Sequence, residues 1–228
     1  PIDKFIFMKI AKEGTVSSVY FPERDAVKLV NTPTSDIFDA DITEPVKVSF
    51  YNGSKVIDAL SHFNGDVKGR IKYTEYDGEL MASDFILENE DLQINLACTD
   101  PSLSFMEMSK EETDRAFGTD SKMFDFDLLT THVDKMKSLF NLDKDEDIFT
   151  LYIGEKGINI KGTSYDATLC HSYDSTVEKG AKVVIYKKYI NLLDKENYKV
   201  SVCENKVVFK SLDTNTHLTV AVAITDED

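Results

Sequence analysis

The chain has 228 residues, 42% of them apolar, and its 41 acids against 26 lysines and arginines set a formal net charge of −15. That is enough for one large domain or two small ones with real cores. No apolar run approaches bilayer-spanning length, so no membrane partner is expected, and so acidic a chain should not coat itself with nucleic acid indiscriminately.

In chain order, one unit recurs four times: a strand, an amphipathic helix, then a strand, a tight turn, a strand and a last strand. Such repetition fixes architecture before single residues are interpreted. The opening copy, residues 1–43, is worn. It offers a helix over Phe5–Glu13 that is ambiguous with a strand, then strands at Val16–Phe21 and Ala26–Val30. The second copy runs from Val46 to about Thr99, with a helix in SKVIDALSHF and a hairpin at Tyr76-Asp77-Gly78, since Asp-Gly is a strong hairpin signal. The third runs from Met123 to about Asp174, with a helix in LLTTHVDKMKSLF and a hairpin through Gly154–Gly157. The fourth runs from Val183 to Thr225, with a helix in KKYINLLD and a hairpin at Glu204-Asn205. The helical period puts Val56, Leu60 and Phe63 on one face, then Leu129, Val133, Met136 and Phe140, then Tyr186, Ile190 and Leu193. Polar, strand-poor residues 109–122 separate the copies into domains 1–108 and 123–228. The fold class is therefore α+β, two similar domains of paired strand–helix–strand–strand–strand repeats.

The faces opposite the apolar stripes carry Lys188, Asn191 and Lys195 in the last helix, Lys135 beside Asp134 in the third, and Lys55 against Asp58 in the second. The first, if helical, carries Lys9 and Lys12. Any single surface helix favours lysine as a good helix former. Across four helices of a strongly acidic chain, a shared basic surface for a phosphate backbone is the better reading. The acids gather in loops, as at Asp143-Asp145-Glu146-Asp147.

No chemistry-bearing motif competes with this reading. Asp143-x-Asp145-x-Asp147 opens like a calcium loop, but Ile148 stands where Gly is needed and Gly154 where Glu is needed. Cys170 and His171 are neighbours that a strand points to opposite faces. The four histidines show no ligand spacing, so no metal is expected. Asp39/Asp41 and Asp125/Asp127 supply the one enzymatic alternative, metal-dependent nuclease chemistry, and nothing adds further ligands. No phosphate-cradling loop is present, so neither a cofactor nor catalysis is expected. Cys98, Cys170 and Cys203 read as reduced thiols of a cytosolic protein, and the opening residues carry no secretory leader. Met106, Met108, Phe117 and Met123 bracket the connector. They either pin it to the domains or form an adaptable groove for partner peptides.

The repeat, the central connector and the lysine-bearing helices together resemble the DNA sliding clamps, with the likeness strongest to those of tailed, myovirus-type bacteriophages, counterparts of proliferating cell nuclear antigen. The stretches that carry it are Ala40-Asp41-Ile42 ahead of the helix ending Leu60–Asn64, Ala97–Ser102, Phe124-Asp125-Phe126, Gly157–Gly162 and Leu218–Ile224. The resemblance implies a homotrimeric ring with sheets outside and helices inside, which encircles duplex DNA without reading sequence and tethers a DNA polymerase. It implies an ATP-dependent clamp loader, and the cytoplasm of an infected bacterium as the place of work. The subunit interface it implies joins the edge Leu92–Cys98, through Leu92, Ile94 and Leu96, to Ala167–Tyr173, through Leu169 and His171. A monomeric DNA-gripping accessory factor of the same fold is the alternative.

Overall fold

The computed structural model describes residues 6–21, 25–38, 42–100 and 107–223. The chain divides into two compact units, residues 1–112 and 113–228.

Unit 1 opens with β1 (Ile6–Ile10), β2 (Thr15–Tyr20) and β3 (Ala26–Thr32). It continues with β4 (Val46–Phe50), α1 (Ser54–Ser61), β5 (Lys68–Tyr76), β6 (Glu79–Glu88) and β7 (Gln93–Ala97). Its strands lie in the order β3-β2-β1-β4-β6-β5, with β7 also on β6. Only β4 and β6 run parallel among these pairs. The β5–β6 turn places both Asp77 and Gly78 at positive φ (53° and 79°), the conformation that matches the twist of a tight hairpin.

A helix, α2 (Lys110–Phe117), follows in the stretch expected to be a connector. Unit 2 contains β8 (Lys122–Leu128), α3 (Thr130–Phe140), β9 (Ile148–Ile153), β10 (Ile158–Lys161), β11 (Asp166–Cys170) and the short β12 (Asp174–Ser175). Then come β13 (Lys182–Tyr186), a 3-10 helix over Lys187–Leu192, β14 (Tyr198–Cys203), β15 (Lys206–Ser211) and β16 (Thr216–Ala221). Its strands form two antiparallel runs, β12-β8-β14-β15-β16 and β11-β10-β9-β13.

Three expectations are corrected. The first concerns Phe5–Glu13: its described residues hold β1, and no helix. Phe7 and Ile10 are buried in the sheet, and reciprocal bonds between Ala11 and Gly14 close a hairpin straight into β2. β-branched and aromatic residues on a half-buried pleat outweigh the helical spacing here. The second concerns the apolar faces. α1 is rolled so that Ala59 enters the core with Val56 and Phe63 beside it, while Leu60 is 44% exposed. Leu129 likewise stays outside, just ahead of α3, whose core residues are Val133 and Met136. The third concerns KKYINLLD, which is a 3-10 helix rather than an α-helix. Its three-residue period brings Lys187 and Ile190 onto one buried side.

Matched by pairing order, the two units share most of one plan. The run β4-β1-β2-β3 repeats β13-β9-β10-β11, and β5-β6-β7 repeats β14-β15-β16. Unit 2 adds β8 and α3 ahead of the shared part. The opening copy is thus short of its first strand and helix among the described residues.

Candidate nucleic-acid interface and partner surfaces

The lysines expected on helices divide into two groups. Lys9 lies on β1, in register with Lys47 of β4. Its ammonium donates to Glu107 at 2.9 Å. Lys47 bridges Glu107 and Glu79, at 2.5 and 2.6 Å. Burial alone would lower the Lys47 pKa, but its bonds to Glu107 and Glu79 carry it above the ordinary value. This is an ion-pair network on a strand pair, so Lys9 leaves the helix-borne set. Lys12 leaves it as well, because it sits in the exposed β1–β2 turn.

The remaining members keep helical or near-helical positions. Lys55 is exposed near the start of α1, with Asp58 one turn on. Lys135 is exposed on α3, with Asp134 beside it. Lys188 and Asn191 share the exposed side of the 3-10 helix, three residues apart. The Lys188 ammonium stands 5.1 Å from the ring centres of both Tyr186 and Tyr189, which restrains an otherwise mobile charge. Lys195 is exposed just beyond that helix. α3 and the 3-10 helix pack against each other, so the third and fourth copies bring their lysine-bearing helices together within unit 2. Lys187, a residue sequence reasoning passed over, lies at that packing. Its buried ammonium donates to the Asp143 carbonyl at 2.6 Å and lies 5.6 Å from the Phe140 ring.

The expected edges fall on strands with one partner each among the described residues: β7 on β6, and β11 on β10. Ile94 and Leu96 turn inward onto the unit 1 core, and Leu92 precedes β7 in a turn held by Asn89. Leu169 is buried, and His171 lies just past β11 with Nδ1 3.0 Å from the Lys156 carbonyl. These apolar side chains serve their own cores, so contact along either edge would fall mainly to the backbone. A shallow groove runs beside β11, lined by Lys135, Ser138 and Leu139 of α3 and by Ile160, Ala167 and Leu169.

Around the connector, Met106 lies outside the described residues, while Met108 and Met123 are half-buried. Phe117 packs edge-on against His217 with ring centres 5.7 Å apart. Lys206 donates to the carbonyls of Arg115 and Ala116, and Thr219 also donates to Ala116. These bonds satisfy carbonyls that a helix C-terminus leaves open. At the other end, Ser109 and Glu112 bond reciprocally in a capping box. Phe117 is thereby held against β16 of unit 2.

Of the two acid pairs behind the enzymatic alternative, Asp125 and Asp127 are engaged by lysines. Asp125 takes Lys122 at 2.5 Å and Lys199 at 3.1 Å, and Lys199 also reaches Asp127 at 3.4 Å. Burial would raise the Asp125 pKa, but the bonds from Lys122 and Lys199 hold it below the ordinary carboxylate value. Asp39 and Asp41 lie outside the described residues. No three His, Cys, Asp or Glu side chains gather for a metal among the described residues. Asp143, first of the calcium-like series, accepts the Ser164 N–H on both oxygens at 3.0 Å, a structural role.

With this geometry in view, the likeness to solved structures is decisive for the fold. The chain matches A. fulgidus PCNA, solved with the C-terminal region of FEN-1, at a TM-score of 0.64 and 14% identity, over 99% of this chain and 91% of that one. It matches Entamoeba histolytica PCNA at 0.63 and 13% identity, over 97% and 90%. The fold is that of the DNA clamps. The H. pylori beta clamp, solved bound to a DNA ligase peptide, matches at 0.64 and 13% identity over the whole of this chain, which spans 60% of that longer one. No protein-family model matches the chain, and no curated protein matches it in sequence.

Proposed function

We propose that this protein is a non-enzymatic sliding clamp: a homotrimeric ring that encircles duplex DNA and tethers a replicative DNA polymerase. The observation that carries the reading is the match to A. fulgidus PCNA along nearly the full length of both chains. The exposed lysines of α1, α3 and the 3-10 helix support it, since mobile point charges centre a duplex without gripping it. The single-partner edges of β7 and β11 support ring closure, which uses edges that would otherwise invite aggregation. The reading includes an ATP-dependent loader, peptide-bearing partner proteins, a bacteriophage origin and action in the cytoplasm of the infected host.

Mass in solution tests it. Light scattering on the eluting protein is expected to give three times 25.8 kDa. The protein is then expected to stay on nicked circular DNA after loading and to run off once that DNA is cut. A monomer whose DNA affinity falls steeply with salt would establish the gripping accessory factor instead.

A further inference from the structure

The sequence holds two Asn-Gly dipeptides, Asn52-Gly53 ahead of α1 and Asn64-Gly65 between α1 and β5. A glycine successor offers an asparagine side chain the least hindered backbone nitrogen, because no Cβ shields it. The two dipeptides are alike in sequence and differ in structure.

Asn52 is tied. Its Oδ1 accepts the Ser54 N–H at 3.1 Å and the Ser54 hydroxyl at 2.7 Å. Its carbonyl accepts the Lys55 N–H at 3.2 Å, and the Gly53 carbonyl accepts the Val56 N–H at 3.1 Å. These bonds hold both residues in the turn that opens α1. Gly53 is buried, and a Cβ built on it would stand 2.0 Å from Ile6 Cδ1. Rotating this peptide therefore requires β1 to give way.

Asn64 has no such ties. Asn64 and Gly65 are exposed, and neither the Asn64 side chain nor the Gly65 N–H has a hydrogen-bond partner among the described residues. The bonds that close α1 end at Phe63, and the β5 ladder begins at Lys68. Gly65 sits at φ 82°, and a Cβ there would meet nothing within 4 Å.

We infer that Asn64 is a site of spontaneous covalent modification, where the folded chain converts asparagine to aspartate and isoaspartate, and that the fold protects Asn52 from the same reaction. The Gly65 backbone nitrogen gives its proton to solvent base and attacks Asn64 Cγ. A C–N bond forms and closes a succinimide ring, while the bond to the side-chain amide nitrogen breaks and that nitrogen leaves as ammonia, taking a proton back from solvent. Water then adds to either ring carbonyl and opens the ring to aspartate or to isoaspartate, whose main chain is longer by a methylene. Water is the one co-reactant, and nothing is oxidised or reduced. Each event moves the formal net charge from −15 to −16. It sets a new carboxylate near Asp66, just past the C-terminal end of α1, where the helix dipole disfavours an anion.

Peptide mapping by mass spectrometry tests this on the intact protein, incubated at mildly alkaline pH below its thermal midpoint. Asn64 is expected to convert at least about tenfold faster than Asn52, with isoaspartate at residue 64 read by an isoaspartate-specific methyltransferase. Unfolded in guanidinium, the two sites are expected to convert at matching rates, since the ties on Asn52 are then gone. Anion exchange of the aged protein is expected to resolve a more acidic species that Asn64→Gln abolishes. Ser54→Ala removes the shorter bond to Asn52, and is expected to raise the Asn52 rate while leaving that of Asn64 unaltered. Equal native rates at the two sites would overturn the inference, as would faster conversion at Asn52 or an acidic species that persists in Asn64→Gln. An Asn52 rate indifferent to Ser54→Ala would overturn the protection assigned to that bond.

Discussion

At the scale of single residues, the informative groups are buried ions rather than exposed ones. Asp125 shows why. Its carboxylate is nearly enclosed yet holds two lysines, and removing one partner of a buried charge costs more than the pair contributes. Asp125→Asn is expected to lower stability by roughly 1–3 kcal/mol near neutral pH, read by chemical denaturation. The sign with pH follows from its lowered pKa. A carboxylate held below its unfolded value of about 3.9 stabilises the fold above that pH. The difference between wild type and variant should be constant near neutrality and shrink as pH falls through the folded value. A constant difference down to strong acid would show that the lysine bonds are not its source. Gly157 is a second case. At φ 141° an added Cβ would stand 2.0 Å from the Cys170 carbonyl oxygen, so Gly157→Ala is expected to cost at least about 1–3 kcal/mol.

Elements were legible where a local pattern had no rival. The three hairpins read at residues 76–78, 154–157 and 204–205 form where turn residues stand between alternating runs. α3 forms over its 3.6-residue stripe, with Val133 and Met136 inward. Legibility fails where two periods fit the same residues. Ile6–Ile10 fits helix or strand, and pairing on both sides, with β2 and β4, decides for strand. Ion pairs such as Lys199–Asp125 join residues 74 positions apart and leave no local trace. α2 lay in a stretch read as strand-poor linker, although Ser109 and Glu112 carry the capping-box spacing. Ser109→Ala is expected to cost roughly 0.5–2 kcal/mol of stability and to speed amide exchange over residues 110–117. Unchanged exchange there would mean that Lys206 and Thr219 alone hold the helix.

At the scale of the whole molecule, the proposed clamp function asks for a chain acidic enough to repel stray nucleic acid and basic enough where a duplex would pass. Net charge and local charge therefore make opposite demands on one chain, and a triple substitution separates them. Lys135, Lys188 and Lys195 are exposed, so changing all three to Glu leaves the cores intact and moves the formal net charge from −15 to −21. Thermal midpoint and solution mass should stay as in the wild type, since the edges of β7 and β11 are untouched. Stimulation of the polymerase and loading onto circular DNA should fall by at least about tenfold, because six units of charge per subunit now oppose the phosphates. Raising salt should narrow the gap, as screening weakens the repulsion within a Debye length of about 8–10 Å. Three lysines that merely solubilise their helices would leave stimulation unaltered at every salt concentration, and that result would remove them from the DNA-facing surface. A loss of stimulation that added salt leaves unrelieved would point to a displaced protein partner instead of the duplex.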